Sequence, residues 1–115
     1  MSRFDLVLHV DKTDGSLAVA LRNAVNYAQT LPDGGFHMVL VVNSAAVRQL
    51  VANNTEIRES LEKACASGLS VRVCNNALRE NGISSESLFP QCAVVPAGVV
   101  ELVSLQQDGY SYVKA

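Results

Sequence analysis

The chain has 115 residues and a formal charge of −2, with a sequence pI near 5.6. A chain of this length forms one domain that can bury most of its apolar surface. Its negative net charge leaves no basic face that could bind a nucleic-acid backbone. No apolar run approaches the roughly 20 residues that span a bilayer, and the first residues lack the apolar region of a secretory signal. We therefore expect one domain over residues 1–115, with no nucleic-acid partner and no membrane partner.

Strand and helix patterns alternate along the first half of the chain. Nearly continuous apolar runs are typical of parallel strands covered on both faces, whereas apolar residues that recur about every 3.6 positions indicate helices. Pro32 follows the first helix, and Asn43 with Ser44 caps the second. The predicted elements are a strand over residues 4–10, a helix over 17–31, a strand over 36–42, a short helix over 45–52, and a helix that restarts at 53–55 and stops at Gly68.

The alternation continues after Gly68. The predicted elements are a strand over residues 70–73 that ends on Cys74, a helix over 77–80, at most one helical turn over 84–89, a strand over 93–96, a helix over 99–107 and an edge strand over 110–114. Alternating strands and helices form βαβ units, with a parallel sheet between helix layers. The sequence therefore predicts a single α/β domain.

Polar or reactive residues follow four of the predicted strands. They are His9 and Asp11 after the first, Asn43 after the second, Cys74 after the third and Gly98 after the fourth. In open α/β sheets the ligand crevice lies outside the carboxyl ends of the strands. We therefore expect these residues to share one site.

The three cysteines have different expected roles. Cys74 lies where a strand gives way to a helix, so unpaired backbone N–H groups and the positive end of the helix dipole favour its thiolate. The alternative is that Cys74 packs as a small apolar side chain. Cys65, on the apolar face of its helix, is expected to be inert, and Cys92 is either unrelated to Cys74 or a resolving thiol for it. An odd number of cysteines without zinc or Cys-x-x-Cys spacing favours free thiols, a cytoplasmic protein and no metal site.

Three other polar residues each have two interpretations. His9 is either a structural residue or a group that acts near the thiol, and Arg79 either holds an anion or a persulfide or is solvated. His37 lies at the amino end of its strand, so we expect it to be structural or exposed.

Motifs for other chemistries are missing from the sequence. The chain has no G-x-G-x-x-G after a strand, no G-x-x-x-x-G-K-[ST], no H-E-x-x-H and no G-x-S-x-G. With no Trp and three Tyr, it has few rings to stack on a flavin. We therefore predict no cofactor, which leaves thiol chemistry or no chemistry.

Several segments of the chain resemble the DsrE/DsrF-like family, especially its small single-domain members. The likeness consists of a cysteine after the third strand with a small-residue helix and a Gly-Ile pair behind it, then Val-Pro-x-Gly-Val-Val-Glu-Leu, Gln-x-Gly-Tyr and a short last strand. These features lie in GLSVRVCNNALRENGIS at residues 68–84 and FPQCAVVPAGVVELVSLQQDGYSYVKA at residues 89–115. The opening FDLVLHVD at residues 4–11 is similar to the family's first strand.

The resemblance implies a three-layer α/β/α sandwich around a five-stranded, mostly parallel sheet, assembled as a trimer or a hexamer. Better-studied relatives act in sulfur relay, in which a cysteine-bound persulfide passes between proteins, and their carrier cysteine corresponds to Cys74. The helix over residues 99–107 independently favours a homo-oligomer. Its apolar residues occupy almost every side, and a single surface layer cannot bury them all without a neighbouring subunit. The alternative is a monomer in which this helix packs beneath the loop over residues 84–90.

Two functions are compatible with the sequence. In the first, Cys74 accepts sulfur from a donor protein and releases it to an acceptor protein, while the Asn75 and Asn76 N–H groups stabilise the anionic sulfur. In the second, the chain is a non-catalytic assembly subunit or a small-ligand-binding subunit in which Cys74 is structural. The candidate binding residues around Cys74 are His9, Asp11, Asn43, Asn75, Asn76, Arg79 and Gly98.

Overall fold

A computed structural model of the protein describes residues 3–31 and 33–115; Pro32, expected after the first helix, lies outside these ranges. The strands are β1 Leu6–Val10, β2 Met38–Val42, β3 Leu69–Cys74, β4 Cys92–Val95 and β5 Ser111–Lys114. The α-helices are α1 Ser16–Thr30, α2 Thr55–Ala66, α3 Asn75–Glu80 and α4 Gly98–Gln107, and 3₁₀ segments occupy Ser44–Leu50 and Ser85–Ser87. No helix within the described ranges has the length and apolar character needed to cross a membrane.

The described strands form one sheet in the order β4-β3-β2-β1-β5, and each neighbouring pair is parallel. Every residue of β2 is buried, as expected of a central strand covered on both faces. The edge strands are more exposed to solvent: β4 is partly exposed and all of β5 is exposed. The predicted α/β class with a five-stranded sheet is confirmed, and the sheet is entirely parallel.

Helices cover the two faces of this sheet. α1 and α2 pack in the main apolar core with one set of alternating strand residues, which includes Leu8 and Leu40. α4 packs on the other face, where its Leu102 and Leu105 form a second cluster around Val41. These layers form the α/β/α sandwich that the resemblance implied.

α4 is apolar on two opposite sides. The side that faces the sheet consists of the buried residues Gly98, Leu102 and Leu105. The outward side, which we call the valine face, consists of Val99, Val100 and Val103, which are 63%, 65% and 51% exposed. A single copy of the chain therefore leaves the valine face open to solvent, in agreement with the pattern seen in the sequence.

Two helix starts differ from the sequence prediction. The short helix expected at residues 45–52 is a 3₁₀ segment at Ser44–Leu50, and Asn43 makes no capping bond because its side-chain oxygen is bonded to His9. α3 begins at Asn75, two residues earlier than predicted, and Cys74 is its N-cap. Both differences place polar atoms at the carboxyl edge of the sheet.

Candidate functional site

The carboxyl ends of the central strands bring the predicted residues to one edge of the sheet. Val42 of β2 pairs with Val73 of β3, so the residues that follow them, Asn43 and Cys74, lie side by side. A Cβ atom added to Gly98 would lie 3.1 Å from the Asn43 Cβ and 3.3 Å from the Cys74 Cβ. The first residue of α4 is therefore in direct contact with both side chains.

Cys74 has a backbone donor at its sulfur. The Ala77 N–H donates to Cys74 Sγ, with 3.4 Å between nitrogen and sulfur. Cys74 is 7% exposed, so this bond lies in a largely water-free position. An N–H group aimed at sulfur stabilises its anionic form more than its neutral form. The site can therefore hold a negatively charged sulfur.

A hydrogen-bond chain connects Asn43 with the edge strand β5. Asn43 Oδ1 lies 2.9 Å from His9 Nε2, and His9 Nδ1 lies 2.7 Å from the Tyr112 hydroxyl oxygen. An amide oxygen only accepts hydrogen bonds, so His9 Nε2 bears the proton, and in the neutral ring Nδ1 accepts the Tyr112 O–H. Both ring nitrogens of the half-buried His9 are therefore engaged.

Asp11 forms an ion pair at the same edge of the sheet. Lys114 Nζ lies 2.8 Å from Asp11 Oδ1 and joins the end of β5 to the loop after β1. This hydrogen bond lowers the pKa of Asp11 and raises the pKa of Lys114. Because both side chains are partly exposed, the pair contributes little to overall stability, and its main effect is local.

The remaining predicted residues lie on α3. Asn75 is half-buried and Asn76 is exposed. The Arg79 guanidinium donates to Asn76 Oδ1, so this arginine is bonded within its own helix. The N–H group that reaches Cys74 Sγ belongs to Ala77, the residue after the asparagine pair from which we expected donors.

The other two thiols are separated from Cys74. Cys92 pairs with Val71 while Cys74 pairs with Val95, so three residues, or about 10 Å of strand, lie between the two positions. Burial raises the pKa of Cys92 to about 12, and the nearby Cys65 adds to the shift. Burial also raises the pKa of Cys65. The structure therefore places Cys92 near Cys65 and does not bring it to Cys74 as a resolving thiol.

His37 lies at the opposite, amino edge of the sheet. Its ring is exposed, and its backbone N–H donates to Asp5 Oδ1 over 2.8 Å. This bond links the approaches to β1 and β2. His37 is thus exposed, as expected, and lies away from the thiol.

Sequence reasoning missed three contributors to the site. Tyr112 and Lys114 belong to β5, whose pairing with β1 sets His9 opposite Lys114. The alternating pattern of this segment predicted an edge strand, but it gave no sign of which strand β5 pairs with. Ala77 was missed because the N–H group that reaches a capping side chain depends on where the helix begins.

The fold and the site define an α/β sandwich protein with a hydrogen-bonded cysteine at the carboxyl edge of its sheet. The model of the DsrE/DsrF-like family matches residues 1–115, and the chain belongs to this family. No curated protein matches the chain.

Several solved structures share this fold. MTH1491, a protein of unknown function from Methanobacterium thermoautotrophicum, is 24% identical with a TM-score of 0.85, over 97% of this chain and 99% of that one. The YchN protein of E. coli is 20% identical with a TM-score of 0.79, over 97% and 99% of the two chains. BT1422, a conserved protein of unknown function from Bacteroides thetaiotaomicron, is 15% identical with a TM-score of 0.76, over 96% and 94%.

Replacing Gly98 with alanine is expected to destabilise the fold. The new Cβ would meet the Cβ atoms of Asn43 and Cys74, which no rotamer change can move. We expect the free-energy cost of these close contacts to exceed the free energy gained from the higher helix propensity of alanine. We expect Gly98→Ala to lower the free energy of unfolding in urea by about 1–3 kcal/mol. Gln107→Ala, at an exposed position of the same helix, is the control. An unchanged or higher stability of Gly98→Ala would contradict the contact.

Raising the pH is expected to destabilise the protein through Cys92. A thiol in the unfolded chain ionises near pH ~8.5, whereas burial raises the pKa of Cys92 to about 12 in the fold. Between these values the folded state keeps a proton that the unfolded state has lost. The free energy of unfolding therefore falls as pH rises, by at most about 1.4 kcal/mol per pH unit for this proton.

Urea titrations between about pH 8 and about pH 10 measure this dependence. The slope should be shallower in Cys92→Ala. Cys65, Tyr27 and Tyr110, whose pKa values are also raised by burial, contribute to the slope in both proteins. Equal slopes for the two proteins would show that the Cys92 thiol is not protected from ionisation.

Proposed function

We propose that the protein is a sulfur carrier that holds sulfane sulfur as a persulfide on Cys74. The main support is the environment of its sulfur, which accepts the Ala77 N–H and lies beside Asn43 at the carboxyl edge of the sheet. Membership of the DsrE/DsrF-like family, which is related to sulfur relay, supports the same function.

The transfer needs no oxidant beyond the sulfur donor itself. The Cys74 thiolate attacks the outer sulfur of a donor persulfide, so that a new bond to Sγ forms, the donor S–S bond breaks and the donor leaves as a thiolate. Release repeats these steps in reverse order. An acceptor thiolate attacks the outer sulfur and Cys74 leaves as a thiolate. The donor and the acceptor are therefore both thiol-bearing proteins or peptides.

The surroundings of Cys74 suit a bound intermediate. Cys74 is 7% exposed, and this burial would protect a persulfide from most solvent thiols. On one side the proposed binding residues are His9, Asp11, Asn43 and Gly98, and on α3 they are Asn75, Asn76 and Arg79. The free cysteines favour a reducing compartment, so we place this activity in the cytoplasm.

Mass spectrometry of the intact protein tests the sulfur carrier directly. After exposure to glutathione persulfide, the wild-type protein should gain the mass of one sulfur atom. Cys65→Ser and Cys92→Ser are matched controls and should gain it too, because the thiols that they remove stay protonated in the wild-type protein and do not take up sulfur. Cys74→Ser should not gain it. If Cys74→Ser still takes up the sulfur, another thiol accepts it and Cys74 is not the carrier. If the wild-type protein takes up none, Cys74 has a structural role and the chain is an assembly or ligand-binding subunit.

The valine face favours a homo-oligomer. Three valines on one side of a helix, each at least half exposed, form an apolar surface that another copy of the chain would cover. The family resemblance implies trimers or hexamers, and an assembly of either kind would bury this surface if it formed through α4. We therefore propose that copies of the chain associate through α4. In the sulfur carrier this association accompanies sulfur binding, whereas in the alternative function association is the main role of the protein.

Light scattering tests this association. The wild-type mass should be three or six times the 12.3 kDa of one chain. Val103→Glu puts a charge into the valine face and should lower the mass, whereas Gln29→Glu, at an exposed position of α1, should leave it unchanged. A wild-type mass of 12.3 kDa would contradict the proposal.

A further inference from the structure

The position of Asn43 between two strands suggests a role for its amide nitrogen. In the sheet β2 lies between β1 and β3, so Asn43 at the end of β2 has His9 on one side and Cys74 on the other. Its amide oxygen is turned towards His9, at 2.9 Å from Nε2. The oxygen and the nitrogen of a carboxamide point in different directions, so Nδ2 does not face the His9 nitrogen that the oxygen contacts.

The amide nitrogen of Asn43 is available as a donor. The oxygen is engaged by His9, while Nδ2 has no hydrogen-bond partner among residues 3–31 and 33–115. The Cβ atoms of Asn43 and Cys74 are both in contact with the Cβ position of Gly98, at 3.1 Å and 3.3 Å. Neighbouring strands are about 4.8 Å apart, so the two side chains leave the backbone next to each other. A persulfide extends the Cys74 side chain by one S–S bond of about 2.05 Å, so its outer sulfur lies beyond the Sγ position next to Asn43.

We propose that Asn43 donates a hydrogen bond to the outer sulfur of the Cys74 persulfide, and that His9 and Tyr112 are positioning residues that fix the orientation of the Asn43 amide. This proposal rests on the sulfur-carrier function. The outer sulfur bears the negative charge, and an N–H donor to a charged group stabilises it more than a donor to a neutral group does. Tyr112 donates to His9 Nδ1, which leaves Nε2 as the protonated nitrogen and requires the amide oxygen to face the ring.

The exchange equilibrium between glutathione persulfide and Cys74 measures this hydrogen bond. At fixed ratios of glutathione to glutathione persulfide, intact-mass spectra give the equilibrium constant for sulfur on Cys74. Asn43→Asp keeps an acceptor for His9 but replaces the donor with a carboxylate, and should lower the constant about tenfold or more. Tyr112→Phe frees the His9 ring and should lower it about twofold to fivefold. Tyr110→Phe, which removes a hydroxyl outside the chain of hydrogen bonds, is the matched control and should leave it unchanged.

A second readout reports the orientation of the two side chains, and its main part uses the wild-type protein, so it does not depend on a variant folding. In the wild-type protein, nitrogen-15 NMR should show His9 protonated at Nε2, and the Asn43 side-chain amide resonances should shift when sulfur is loaded. In Tyr112→Phe the His9 tautomer preference should weaken.

The outcomes distinguish the two proposals. If wild-type Cys74 takes up sulfur but Asn43→Asp has the wild-type equilibrium constant, or the Asn43 amide resonances do not move on loading, the role of Asn43 is wrong and the sulfur carrier stands. A His9 ring protonated only at Nδ1 would overturn the positioning role of Tyr112. If wild-type Cys74 takes up no sulfur, the sulfur-carrier function and this inference are both wrong.

Discussion

The pairing of β2 with β3, in which Val42 lies opposite Val73, determines which side chains meet at the carboxyl edge of the sheet. Side chains alternate between the faces of a strand, so a slip of one residue in either strand would send Asn43 and Cys74 to opposite faces. Gly98 depends on this register as well, because its missing Cβ lets α4 approach both residues. The central apolar strands thus place the sulfur, the amide beside it and the start of α4 together.

Most of the fold follows from patterns that are local in the sequence. Unbroken apolar runs predicted the central strands to within about two residues at each end, because strands covered on both faces have no polar side. The convergence of His9, Asn43 and Cys74 was predicted from parallel topology alone. The partners of His9 could not be predicted in full, since Tyr112 reaches it only through the pairing of β1 with β5, a contact between residues 103 positions apart. The 3₁₀ segment after Asn43 was also missed, because Asn43 is a good helix cap in the sequence but its side-chain oxygen is bonded to the distant His9 in the fold.

The three thiols have different surroundings, and this difference gives the proposed chemistry its selectivity. Burial raises the pKa values of Cys65 and Cys92 and disfavours their reactive thiolates. Cys74 is also buried, yet a backbone N–H is directed at its sulfur. In the proposed assembly, α4 contributes to the sulfur site through Gly98 and to the subunit interface through the valine face. A single ten-residue helix would then join sulfur binding to association.

In the proposed function, Cys74 holds a sulfur atom in a hydrogen-bonded site formed by neighbouring strand ends. A high-resolution crystal structure of the protein after reaction with glutathione persulfide tests it most directly. We expect one extra sulfur atom bonded to Cys74 Sγ, with the Asn43 amide nitrogen turned towards it and the asparagine oxygen still facing His9. An unmodified Cys74, or extra sulfur on Cys65 or Cys92 alone, would contradict it.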